Sequence, residues 1–181
     1  MNIIAISGSL RKDSFNTALL KNLQGLAPEG MTINTEEISA IPLYDQDSEV
    51  AFPAEVQALK DKIATADGII IATPEYNRSI PGVLKNVIDW VSRPYGQNSF
   101  DKKPILVMGV SVGKNGAMYA QNHLKEVMTY MGAKVVAEPE LHIGPASEVF
   151  DDKGTIVSEL TKALLKKGLV ALGEQIVQSS K

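Results

Sequence analysis

The stretch Gly68-Ile69-Ile70-Ile71-Ala72 limits what this chain can fold into more than any other. Five residues without a polar side chain cannot alternate between core and solvent, so a strand made of them is covered on both faces. Helices on both faces imply a parallel sheet assembled from β-α-β units. Pro104-Ile105-Leu106-Val107-Met108-Gly109-Val110 repeats the pattern, and Asn2-Ile3-Ile4-Ala5-Ile6-Ser7 opens the chain with it. Thr32 to Ile38 alternates imperfectly and reads as an edge strand, while Lys134-Val135-Val136 reads as the last core strand. Helical spacing appears in between. Leu19, Leu20, Leu23 and Leu26 mark a helix over about Asn16 to Ala27, stopped by Pro28-Glu29-Gly30. Val56, Leu59, Ile63 and Ala66 mark a second, Val83 to Val91 a third, and Leu124, Val127, Met128 and Met131 a fourth. Leu160, Leu164, Leu172 and Ile176 mark the closing one. Five such alternations predict an α/β fold with a doubly wound parallel sheet, whose ligands bind at the carboxyl ends of strands around the topological switch point.

Three unusual loops, at residues 8–16, 73–82 and 109–116, all leave carboxyl ends and are expected to meet at one crevice. The first runs Gly8-Ser9-Leu10-Arg11-Lys12-Asp13-Ser14-Phe15-Asn16 into a helix. A helix start offers unpaired N–H groups and the positive end of a dipole, which suits phosphate. Ser9, Ser14, Asn16 and Thr17 add side-chain donors, and Arg11 can fork onto two phosphate oxygens. The loop lacks the Gly-Lys-Ser/Thr of a P-loop and the three glycines of a Rossmann fingerprint, so neither ATP nor a Rossmann-bound dinucleotide is indicated. The second loop supplies Tyr76 between Pro74 and Asn77, and the third has glycines that let a backbone approach a flat ligand. A phosphorylated planar ligand fits all three.

Composition removes several other classes. The chain has 181 residues and reads as one domain, 1–181, without repeats or linkers. Its formal net charge of −3, with Lys and Arg spread out, gives no nucleic-acid face. Zero cysteines rule out a disulfide framework, thiolate catalysis and zinc-thiolate sites. The two histidines, His123 and His142, weigh against a multi-histidine metal site, and no metal is expected. No apolar run approaches the ~20 residues of a membrane span, so the expectation is a cytoplasmic protein with no membrane partner.

Three groups of residues resemble a known family: Gly8-Ser9-Leu10-Arg11 with Ser14-Phe15-Asn16, Thr73-Pro74-Glu75-Tyr76-Asn77 with Pro81-Gly82, and Lys85-Asn86-Val87-Ile88-Asp89-Trp90. Together they resemble the NADPH-dependent FMN reductases of the flavodoxin-like proteins, nearest the quinone, chromate and azo-dye reductase branch. The resemblance runs from residue 1 to about residue 175. It implies a five-stranded, three-layer flavodoxin-like fold and an FMN whose phosphate meets Ser9, Arg11, Ser14, Asn16 and Thr17. Pro74, Glu75, Tyr76 and Asn77 would border the flavin ring, with Ser111 and Gly113 near its other edge. It further implies ping-pong reduction of quinones, or of azo dyes, chromate or free flavin, by NADPH or NADH, with no catalytic side chain because the flavin carries the chemistry. Arg78 and Arg93 are candidate substrate residues, and a homodimer or homotetramer is expected, with the helix bearing Trp90 and the following loop as the contact.

Two alternatives remain at this level. Gly109-Val110-Ser111-Val112-Gly113 matches a nucleophile elbow, and Glu138 or Glu140 followed by His142 gives the chain order of a serine esterase. The other alternative is an FMN electron carrier without enzymatic activity, against which a charge of −3 is mild.

Overall fold

In the computed structural model, which describes residues 1–179, the apolar runs become the middle of one parallel sheet. β1 (Asn2–Ser7) lies between β2 (Thr32–Glu36) and β3 (Gly68–Ala72), and β4 (Pro104–Val110) follows β3. Every residue of β3 and β4 is buried, as the absence of alternation requires. The chain starts in the middle, winds outward to β2, and returns past β1 to β3, so its direction reverses between β1 and β3. That reversal defines the switch point of the flavodoxin-like order.

Odd and even residues of the strands face different helices. Ile3, Ala5, Ile70, Ala72, Leu106 and Met108 pack on the layer of α1 (Phe15–Leu23) and α6 (Glu159–Ser179). Ile4, Ile6, Ile69, Ile71, Ile105 and Val107 pack on α2 (Ala54–Thr65), α3 (Gly82–Val91) and α4 (Met118–Tyr130). The first helix is shorter than its apolar spacing suggests. It ends at Leu23, and a single 3-10 turn, Gln24–Leu26, follows. The Gln24 side chain bonds Met31 and Ile33 across the turn, tying the chain into β2.

The last strand departs from expectation. Lys134 to Val136 was expected to be a core strand, but only β5 (Lys134–Val135) pairs with β4, opposite Pro104 and Ile105. The chain then leaves the sheet and returns as β6 (Leu141–Ile143), opposite Met108, Gly109 and Val110. Pro139 has no N–H for a ladder and Glu138 and Glu140 resist burial, so this segment bulges outward. β5 and β6 thus share one edge of the sheet. The short α5 (Ala146–Val149) leads on towards α6.

Residues 37–53 pack along α3. Trp90 is 1% exposed, donates from Nε1 to the Pro42 carbonyl at 2.9 Å, and meets Tyr44 and Phe52 edge-on. Trp90, on the helix expected to make the subunit contact, spends its ring inside the chain. Beyond α3, Lys60 is buried and donates to the carbonyls of Val91, Arg93 and Gln97. Burial pushes its pKa down, yet the three carbonyls give the ammonium a partner for each proton. Among the described residues no helix is long and apolar enough to cross a membrane.

Candidate functional site

The three loops converge at the switch point because their backbones and buried side chains are joined. Gly8 donates to the Ala72 carbonyl at 2.8 Å, joining the first loop to the end of β3. Asn16, 3% exposed, bonds Val110 twice, Nδ2 to the carbonyl at 3.1 Å and Oδ1 from the N–H at 3.0 Å. That pair ties the start of α1 to the end of β4. Thr73 donates to Met108 at 2.9 Å, and Gly109 lies so close to Thr73 that a Cβ there would sit 2.6 Å from its carbonyl oxygen. Gly116 has φ 54° and would bring a Cβ within 2.3 Å of the His142 backbone, so only glycine lets the third loop pass under β6.

The first loop is a row of free donors. The N–H groups of Leu10, Lys12, Asp13, Ser14, Phe15 and Asn16 have no partner among the described residues. Ser14 caps α1, its Oγ accepting from Thr17 at 3.3 Å, and Ser7 and Thr17 share a hydroxyl hydrogen bond of 2.8 Å. Ser9 Oγ accepts from the Arg11 amide, while the Arg11 guanidinium donates to the Asp13 carbonyl and lies 5.8 Å from the Phe15 ring. Ser9, Arg11, Ser14 and Thr17 thus surround the amide row. Asn16 differs from expectation, since its side chain is consumed by Val110 and only its main-chain N–H is left for a ligand.

The second loop is held rigid by α4. Glu75 Oε2 accepts from the amides of Tyr119 at 2.9 Å and Ala120 at 3.2 Å, supplying the cap that α4 lacks. The Glu75 carboxylate is therefore a clamp, and what it offers a ligand is its backbone. Tyr76 and Ser79 close a turn through two reciprocal 3.0 Å bonds, with Asn77 and Arg78 both at positive φ. Pro74 is partly covered and Tyr76 is half exposed beside it. In the third loop the amides of residues 112–117 have no partner among the described residues. The Ser111 hydroxyl donates to the Gly113 carbonyl at 2.8 Å and stiffens the loop.

Two expectations fail on this geometry. Arg93 lies past the far end of α3, about 15 Å along the helix from the second loop. There it sits 3.6 Å from Glu49 and against the Tyr44 ring, so within this chain it does not border the site. The esterase constellation is not assembled either. Ser111 is spent on Gly113, and Glu140 is bonded to Lys125, which holds its carboxyl below the usual range. His142 reaches Glu140 only at 3.9 Å, and its Nε2 is buried without a partner among the described residues.

Sequence reasoning missed Ser7, Tyr119 and His123. Ser7 ends an apolar strand and reads as its last residue, while Tyr119 and His123 lie on a helix whose outer face has no distinguishing pattern. Elsewhere, a groove of about 340 Å³ opens at the amino edge of the sheet between Met1, Met31 and Leu169, but it is largely apolar and gathers no row of donors. No group of three or more His, Asp or Glu suited to a metal occurs among the described residues.

Residues 1–148 match the sequence profile of the NADPH-dependent FMN reductases. A 2-hydroxy-1,4-benzoquinone reductase of Burkholderia sp is 45% identical over 92% of this chain and 91% of its own length. A quinone reductase of Escherichia coli K12 is 40% identical over 97% of this chain and 95% of its own. Among solved structures, FerB, a flavoenzyme NAD(P)H:(acceptor) oxidoreductase of Paracoccus denitrificans, superposes with a TM-score of 0.91 at 39% identity, covering 98% of both chains.

Proposed function

The chain belongs to the NADPH-dependent FMN reductase family, and from that premise we propose that it acts as one domain, holds FMN across the three loops and uses NADPH or NADH to reduce quinones. Chromate, azo dyes and free flavin are further acceptors in this reading. The observation that carries it is the set of amides of Leu10 and of Lys12 to Asn16, without partners among the described residues, at the β1/β3 switch point. A phosphate monoester is the group that such a row at a helix start suits best. Bound FMN would supply two-electron chemistry, with the overall balance NAD(P)H + H⁺ + quinone giving NAD(P)⁺ + hydroquinone.

The protein's own contribution is binding and orientation. The first loop would hold the phosphate through its amides, the Ser9, Ser14 and Thr17 hydroxyls and the Arg11 guanidinium. Pro74, Tyr76 and the backbone of Glu75 and Asn77 would wall the ring, kept in place by the Glu75 clamp on α4. Ser111, Gly113 and the open amides of 112–117 would face the polar edge of the ring, where donors stabilise developing negative charge. No side chain is asked to act as nucleophile, acid or base.

Fluorescence quenching tests the reading directly. FMN should bind at micromolar concentration or tighter, and Arg11→Ala should weaken FMN roughly tenfold while barely affecting riboflavin, which has no phosphate. Failure to bind either FMN or FAD at that concentration removes the proposal. Initial rates with NADPH and a quinone should give parallel double-reciprocal lines, because one open face serves donor and acceptor in turn. Intersecting lines would instead indicate a ternary complex. Cytoplasmic location and a homo-oligomeric state belong to the same reading.

A further inference from the structure

Arg78 stands in a conformation that arginine rarely adopts, and among the described residues its charge has no carboxylate partner. It has φ 62° and follows Asn77 at 51°, the two central positions of the Tyr76–Ser79 turn. Positive φ is tolerable for asparagine and uphill for arginine, so the surroundings must impose it. They do so from α4: Glu75 caps the helix start, Ser79 Oγ and His123 Nδ1 share a 2.7 Å hydrogen bond, and the Arg78 guanidinium lies 4.3 Å from the centre of the Tyr119 ring. Among the described residues no carboxylate pairs with Arg78 and none of its N–H groups has an acceptor. The nearest acid in sequence, Glu75, is committed to the amides of Tyr119 and Ala120.

A guanidinium is planar and has two faces. One lies on Tyr119; Arg78 is exposed, so the other face and the N–H edge are open to solvent on the second loop. Resting on the functional reading above, we propose that Arg78 stacked on Tyr119 is a specificity-determining residue that selects planar anionic acceptors, namely quinones bearing an ionised ring oxygen. Such an acceptor gains from stacking on the open face and from the attraction of opposite charges together. A neutral quinone gains only from the stack, and a non-planar oxyanion only from the charge. A hydroxyl on a quinone ring is a vinylogous carboxylic acid, which makes hydroxyquinones the natural members of the class at neutral pH.

The test compares 2-hydroxy-1,4-naphthoquinone with 2-methyl-1,4-naphthoquinone, rings of equal size of which the first is anionic and the second neutral at pH 7, on the FMN-loaded protein. Arg78→Met should lower kcat/KM roughly tenfold for the hydroxyquinone and no more than about twofold for the methylquinone. Arg78→Lys should keep part of the preference and Tyr119→Leu should lose part of it, because the first retains charge and the second retains donors. Salt should erode the preference of the wild-type protein, as should lowering the pH through the acceptor's own ionisation. Equal losses on both quinones, or a preference indifferent to salt and pH, overturn the proposal. So does a variant that changes only the KM for NADPH, which would place Arg78 on the donor. If the FMN-loaded wild type reduces neither quinone, the functional reading falls and this inference falls with it.

Discussion

Asn16 shows how one side chain can matter to a ligand it does not touch. Its amide closes a buried pair of hydrogen bonds with Val110, joining the first and third loops. Asn16→Ala should cost about 2–3 kcal/mol, since it leaves a buried N–H and C=O unpaired, and should lower Tm by roughly 5–10 °C. FMN affinity should fall as well, because the amide row and the third loop lose their common anchor. A melt of the FMN-free protein separates the two effects: unchanged Tm would mean Val110 finds another partner. At this scale the sequence named the loop residues that come together at the switch point but not how each side chain is used. Serine, asparagine and glutamate in a loop announce hydrogen bonding, yet whether they are left open to a ligand or spent on the protein, as Asn16 and Glu75 are, depends on partners about 40 to 90 residues away.

The elements were more legible than their ends. Runs such as Ile69-Ile70-Ile71 and Ile105-Leu106-Val107 can satisfy only a strand covered on both faces, so the central sheet and its helices follow from pattern alone. The fifth strand was misread because the apolar pair Val135-Val136 resembles a core strand, while the return at Leu141 has only three residues to announce it. Arg93, a candidate substrate residue from the sequence, belongs within this chain to the 93–101 turn. It follows a helix and precedes a strand, so a parallel sheet puts it at the amino edge, where Lys60 gathers it. Lys60→Met should leave three carbonyls without their donor and cost roughly 2–4 kcal/mol. Hydrogen exchange would locate the effect: protection should drop in residues 91–97 and at the end of α3 while the strands stay protected. Uniform loosening of the sheet would argue against so local a role.

At the scale of the molecule, three of the strongly exposed apolar residues lie near one cluster. Leu43, Val50 and Tyr95 are 86%, 94% and 92% exposed, and each lies one or two residues from the Tyr44, Glu49 and Arg93 cluster on the flank of α3. This flank, without Trp90, is where the proposed homo-oligomer would make contact. Light scattering should report a dimer or larger assembly, and replacing all three residues by serine should shift it towards the monomer with FMN binding retained. A wild-type monomer at micromolar concentration would remove that claim. The broken strand on the opposite edge has a different consequence. An unbroken outer strand is a template on which another chain can lay its own backbone and start a growing aggregate. Here the outermost ladder is two residues, a proline-bearing bulge flanked by glutamates, then three residues. On this edge no run of free amides and carbonyls among the described residues is long enough to hold a foreign strand in register, so the interruption at residues 136–140 blunts this side of a sheet of very apolar strands against polymerising.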